Sequence, residues 1–178
     1  MNTNKDHGMA KALRFGYGET AIGLALIASS ERGIAAILLG DDRAALRDEL
    51  TNAFPGAELV EDEPGLAARL GKVMAFIDAP QHGLDLALDP HGSELEMAVW
   101  RALRDIPVGE TRSYGQLAKA MAVPATAQEV AAACAANKLA VAIPCHRVVK
   151  ADGSISGYRW GVRRKRRLIK MEAVARAA

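Results

Sequence analysis

A chain of 178 residues, half of them hydrophobic and a quarter charged, can bury one sizeable core or two small ones. That balance excludes a disordered or fibrous protein, and no apolar run approaches the length of a membrane span. The net charge of +2 conceals a segregation: residues 1–100 hold 8 Lys/Arg against 16 Asp/Glu, and residues 101–178 hold 15 against 5. The second part is therefore expected to meet an anionic partner, nucleic acid above all, although Arg163–Arg167 alone would also suit a solvated basic helix. Met1 to Lys11 is polar, lacks the apolar core of a secretion signal, and reads as a flexible tail over 1–12. Cys134 and Cys145 form neither a CxxC pair nor a disulfide framework, which points to a reducing, cytoplasmic setting. The four histidines are scattered without zinc-ligand spacing, so no metal site is expected.

The first part reads as a meander. Arg14–Tyr17, Gly23–Ala28 and Ile34–Leu39 are short apolar runs, the last two separated by the turn signal Ser29–Gly33. Asp41 and Asp42 can cap a helix over Arg43–Phe54, which Pro55-Gly56 ends. A second helix fits Gly65–Ile77, with Leu66, Leu70, Val73, Met74 and Ile77 on one stripe. Leu84–Leu88 alternates apolar and acidic residues and suits an edge strand. Asp89-Pro90-His91-Gly92 is then the best domain boundary.

The second part is mostly helical. Ser93 and Glu96 form a capping box for a helix to Ile106, stopped by Pro107-Val108-Gly109. Ser113 can cap a short helix over Tyr114–Met121, and after the turn at Val123-Pro124 another helix runs over Thr126–Ala136. Two short helices with a tight turn have the form of a helix-turn-helix. The second is almost bare of large side chains, so it can approach a groove or a neighbouring helix closely. Asn137 is a natural stop, because asparagine tolerates the left-handed conformation. The fold class expected is α+β, a small sheet domain with helices followed by a helical domain.

The most informative run is Ile143-Pro144-Cys145-His146-Arg147-Val148-Val149. Free cysteine usually packs as a small hydrophobe, and in isolation Cys145 would be read so. A thiolate is also a strong nucleophile, and the adjacent histidine and arginine supply a positive field that lowers a thiol pKa. Tyr114 as a packed aromatic, His146 as a satisfied core histidine and Glu172 as an exposed charge are the corresponding structural alternatives.

Taken in order, Ser113-Tyr114-Gly115-Gln116-Leu117-Ala118, Ala135-Ala136-Asn137, Pro144-Cys145-His146-Arg147-Val148-Val149 and Gly157-Tyr158-Arg159-Trp160-Gly161 resemble the O6-alkylguanine-DNA alkyltransferase family. The string Glu31–Asp42 and the Arg159-Trp160-Gly161 block resemble its bacterial adaptive-response branch, and the resemblance runs from Leu13 to Glu172. It implies a ribonuclease H-like supporting domain over 13–90 and a winged helix-turn-helix-like DNA-binding and transfer domain over 93–178. It further implies direct alkyl transfer from guanine oxygen to Cys145 after the base flips out of duplex DNA. His146 would deprotonate the thiol through a water, Glu172 would orient the histidine, Tyr114 would donate to the departing guanine, and Asn137 would act as hinge. Gln128, Ala127, Ser113, Arg147, Tyr158 and Arg159 would face the DNA. The product thioether has no hydrolytic exit, so each molecule would act once, as a monomer, without cofactor, on double-stranded DNA containing O6-alkylguanine.

The chain departs from the family at one helix. Gln128 stands where an arginine that enters the base stack is usual, and Glu129 stands where a small residue is usual. Thr126-Ala127-Gln128-Glu129 is itself a capping box, so Glu129 is expected to fold back on its helix start. Two other readings stay open at this point: a module that binds alkylated DNA without efficient transfer, and a cysteine hydrolase using Cys145 and His146.

Overall fold

The computed structural model describes residues 12–178. The tail expected over 1–12 therefore lies outside the described residues except Ala12, which opens the first strand. Strands β1 (Ala12–Thr20), β2 (Gly23–Ser29) and β3 (Ile34–Gly40) form the expected antiparallel meander. A short β4 (Glu58–Glu61), which the sequence reading missed, adds in parallel to β1 and completes the order β3-β2-β1-β4. Three of its four side chains are exposed and its two apolar residues, Leu59 and Val60, are adjacent, so it carries no apolar alternation to betray it. Helix α1 (Arg43–Ala53) starts where Asp42 accepts from the Ala45 amide. Helix α2 (Glu63–Asp78) starts two residues earlier than expected, because Asp62 caps it through the Gly65 amide.

Leu84–Leu88 is not an edge strand. Only Leu88 bridges to the sheet, at Ile34. The edge of β3 is shared: Ile34 bonds Ala87 and Asp89, and three residues on Ile37 bonds Lys138 and Ala140. The bridge is parallel, so with Leu88 at Ile34 the preceding residues 84–87 fall beside the turn at 30–33, where there is no strand to pair with. Gly33 permits the close approach, since a Cβ there would sit 2.4 Å from the Ala87 carbonyl oxygen.

The remaining elements are α3 (Glu94–Arg104), β5 (Arg112–Ser113), α4 (Tyr114–Ala120), α5 (Ala127–Ala135), a 3₁₀ turn at Cys145–Arg147, β6 (Val148–Val149) and α6 (Val162–Ala177). Three capping boxes start α3, α4 and α5: Ser93 with Glu96, Ser113 with Gln116, and Thr126 with Glu129. The parallel pair β5–β6 ties the start of α4 to the end of the cysteine turn. Trp100 donates to the Ala133 carbonyl at 2.8 Å and locks α3 to α5. A single apolar cluster runs from Leu13 through Cys145 to Leu168, so the core continues across the boundary at Asp89–Gly92. The α+β class is as expected.

Candidate active site

The bond pair at Ile37 has a consequence downstream. It anchors Lys138–Ala140 to the sheet, and the chain then has five residues to reach Cys145. Val141 takes a left-handed conformation there, with φ of 67°, which is rare for a β-branched residue. Asn137 holds both ends of this loop. It is completely buried, accepts from the Leu139 amide at 2.8 Å, and donates through Nδ2 to the Ile143 carbonyl at 2.9 Å. The same Nδ2 lies 3.3 Å from Cys145 Sγ. Burial pushes the Cys145 thiol pKa up, while the Asn137 hydrogen bond and the charges of Lys165 and Arg159 pull it down. Cys134 has no such donor among the described residues and rises to about 12, chiefly through burial, so it stays a core thiol.

His146 and Arg147 both turn toward α6. His146 Nε2 meets Glu172 Oε1 at 2.7 Å. Arg147 grips the same carboxylate with two nitrogens at 2.9 Å each, and its third bonds the Ile106 carbonyl at 2.6 Å. Arg147 was expected to face DNA. It is instead buried, with its guanidinium spent on Glu172 and on the end of α3, so it carries no cation to the surface. Glu172 is likewise no exposed charge. Burial alone would raise its carboxyl, but the bonds and charges of His146 and Arg147 outweigh that and bring it to about 2. Burial lowers the His146 pKa more than Glu172 raises it, so the ring is neutral. A neutral ring that donates from Nε2 to a carboxylate presents Nδ1 as its acceptor, and that buried atom has no partner among the described residues.

Tyr114, the first residue of α4, places its hydroxyl against Ser156 Oγ. Tyr158 packs edge-on against Trp160, and its buried hydroxyl has no partner among the described residues. Both rings are close enough to Cys145 for a thiolate to raise their pKa further, after burial. Sequence reasoning missed Lys165, which it left inside the basic run. The side chain is buried, with Nζ on Ser156 Oγ at 2.9 Å and on the Gly157 carbonyl at 3.3 Å. A signal existed: Lys165, Leu168 and Glu172 repeat at helical spacing and form the buried stripe of α6.

The residues expected at the DNA divide. Ala127 and Gln128 are exposed on the first turn of α5. Glu129 bonds back to Thr126, as its capping box predicts. The Ser113 hydroxyl accepts from the Gln116 amide and so serves α4. Arg159 is tethered to Glu49 Oε1 and to the Asn137 carbonyl, both at 3.0 Å. A groove of about 750 Å³ lies elsewhere, between α6 and residues 78–81, and contains none of the expected site residues.

The site thus combines a thiol bonded by a buried amide, a neutral imidazole with a free acceptor, a carboxylate that orients it, and two phenols within reach of the sulfur's charge. Such a set can transfer a group to sulfur and supply a proton to what leaves.

Comparison with known proteins agrees with this chemistry. The profile described as 6-O-methylguanine DNA methyltransferase, DNA binding domain, matches residues 94–174. The bifunctional transcriptional activator/DNA repair enzyme Ada of Escherichia coli is 49% identical over 162 residues, covering 91% of this chain and 46% of Ada. The chain therefore spans about half the length of that relative. A methylated-DNA–protein-cysteine methyltransferase of Mycolicibacterium paratuberculosis is 39% identical over 112 residues, covering 63% of this chain and 68% of the relative. Among solved structures, the Mycobacterium tuberculosis O6-methylguanine methyltransferase superposes with a TM-score of 0.71 at 28% identity, over 92% of this chain and 93% of the other. A structure of the M. tuberculosis protein in complex with DNA gives 0.73 at 28% identity, over 90% and 93%.

Proposed function

The chain belongs to the O6-alkylguanine-DNA alkyltransferase family, and from that premise we propose that it repairs DNA by moving the alkyl group of O6-alkylguanine irreversibly onto Cys145. The observation that carries the reading is the coupled set around the thiol: Asn137 Nδ2 at 3.3 Å from Sγ, with neutral His146 aligned by Glu172. His146 Nδ1 takes the thiol proton through a water. The thiolate attacks the alkyl carbon, the S–C bond forms, and the C–O6 bond breaks with its electron pair left on guanine. Tyr114 gives the leaving base its proton. Because Cys145 is buried, the guanine must leave the duplex to reach it. The exposed first turn of α5, with Ala127 and Gln128, is the surface that enters the groove. Charge-assisted contacts then come from cations other than Arg147.

The test is intact-mass measurement after incubation with a duplex bearing one O6-methylguanine. A single methyl-sized gain that disappears in Cys145→Ala is the expected result. Tight binding with no gain makes the chain a binding module instead, a reading that Gln128 in place of the usual arginine favours. Turnover of an ester or amide would make it a hydrolase.

A further inference from the structure

Lysine has donors only, so the Lys165–Ser156 contact at 2.9 Å has one possible direction: Nζ donates and Ser156 Oγ accepts. Ser156 then has one hydrogen left to give. Among the described residues, the only other group bonded to its Oγ is the Tyr114 hydroxyl. Ser156 Oγ has a second lone pair and could accept from Tyr114 as well, but the ammonium on that oxygen polarises the O–H and makes it the better donor, which leaves the phenol oxygen as acceptor with its own hydrogen pointing onward. Lys165 thus favours one direction for the whole series.

Resting on the transfer reading above, we propose that Lys165 and Ser156 are positioning residues that aim the Tyr114 hydrogen at the departing guanine and replace the proton it gives up. Each proton has a source. The guanine anion takes the phenol proton at a ring nitrogen, Tyr114 takes the Ser156 hydroxyl proton, and Ser156 takes one from the Lys165 ammonium. Charge also balances. Before transfer the site holds a thiolate and an ammonium, with the thiol proton on His146; afterwards it holds a neutral thioether, a neutral guanine and a neutral amine, with the His146 imidazolium still on Glu172. Once the thiolate is gone, nothing offsets the burial of an ammonium at this place. Burial already lowers the Lys165 pKa, and the nearby thiols are what raise it. The final state therefore leaves no unpaired charge in the core, because the imidazolium that remains faces the Glu172 carboxylate.

The alternative is that Lys165 merely anchors the 156–157 turn. Two electrophiles separate the two ideas. Transfer from O6-methylguanine needs a proton for its leaving group, whereas alkylation of Cys145 by methyl iodide does not. In Ser156→Ala, single-turnover transfer at saturating duplex should fall by at least about 10-fold, the scale of a lost proton donor. Duplex Kd and the methyl iodide rate should stay within about twofold, and Ser156→Thr should restore transfer because it keeps the hydroxyl. Ser156 sits in a partly exposed turn, so this variant avoids the buried Lys165. Equal transfer by Ser156→Ala and the natural protein overturns the relay. Equal slowing with both electrophiles also overturns it, since that is a displaced thiol. If the natural protein gains no methyl group from the duplex, the transfer reading falls and the relay with it.

Discussion

Glu172→Gln tests the buried centre most directly. The carboxylate accepts one bond from His146 and two from Arg147, all within 2.9 Å, at a 2% exposed residue. An amide of the same shape must turn its NH₂ toward one of those donors and leaves the guanidinium without a counter-charge. Two routes give the magnitude. The Glu172 carboxyl moves from 4.5 to about 2 on folding, which by linkage is on the order of 3 kcal/mol at neutral pH. Breaking a buried ion pair by removing one partner costs about 3–5 kcal/mol. The sign follows from the depressed pKa: the unfolded chain binds the extra proton, so the contribution is complete above 4.5 and is lost as the pH falls toward 2. Urea unfolding of both proteins should therefore show a gap of roughly 3 kcal/mol at pH 7 that closes as the pH is taken below 4.5. A gap under about 1 kcal/mol at pH 7, or one that stays constant in acid, would refute the account of this cluster.

Asn137→Ala should destabilise by on the order of 2–5 kcal/mol, because the Leu139 amide and the Ile143 carbonyl both lose buried partners. In the folded fraction it should also slow the reaction of Cys145 with iodoacetamide, read at fixed pH by intact mass. Gln128→Arg should tighten binding to an O6-methylguanine duplex and steepen the dependence of log Kd on log salt by about 1, measured by fluorescence anisotropy. For pH dependence, His146 titrates below its ordinary 6.5, through burial first and then Arg147 and Lys165, against Glu172. More than half of the ring is therefore in its base form at 6.5, and the single-turnover rate should reach its half-maximum only below that value. A decline centred above 6.5 would place the base elsewhere.

What was legible depended on how local the determinant was. The meander, the helix caps and the helical pair follow from short-range rules, and Thr126 with Glu129 shows the reach of one such rule. β4 was hidden because its partner, β1, lies more than forty residues away and its own side chains are exposed. Leu84–Leu88 misleads for the opposite reason: its alternation suits a strand, but the parallel bridge of Leu88 to Ile34 sets the rest of it beside a turn. Arg147 and Lys165 were misplaced through one assumption, that a cation in a basic region faces solvent. A buried cation needs a carboxylate or several acceptors, and nothing near either residue in sequence announces Glu172, Ile106 or Ser156.

The charge segregation has a double meaning for the same reason. Some of the excess positive charge in the second part is consumed inside the molecule by the acidic first part. Glu49 Oε1 takes both Arg159 and the Trp160 indole, and Asp41 takes Arg164, which also reaches back to the Ile22 carbonyl. These contacts fix the segment on either side of Trp160, against which Tyr158 packs. The first part thus acts on the site without contributing a reacting group: β3 anchors the loop that precedes Cys145, and α1 anchors the loop that carries Tyr158. Removing Glu49 would loosen Arg159, Trp160 and the Tyr158 ring together, so it would disturb the pocket from a helix with no role in the chemistry. The cations left for an anionic partner are those with no ion pair among the described residues. Arg163, Arg166, Arg167 and Lys170 belong to that set, and all four are exposed along α6.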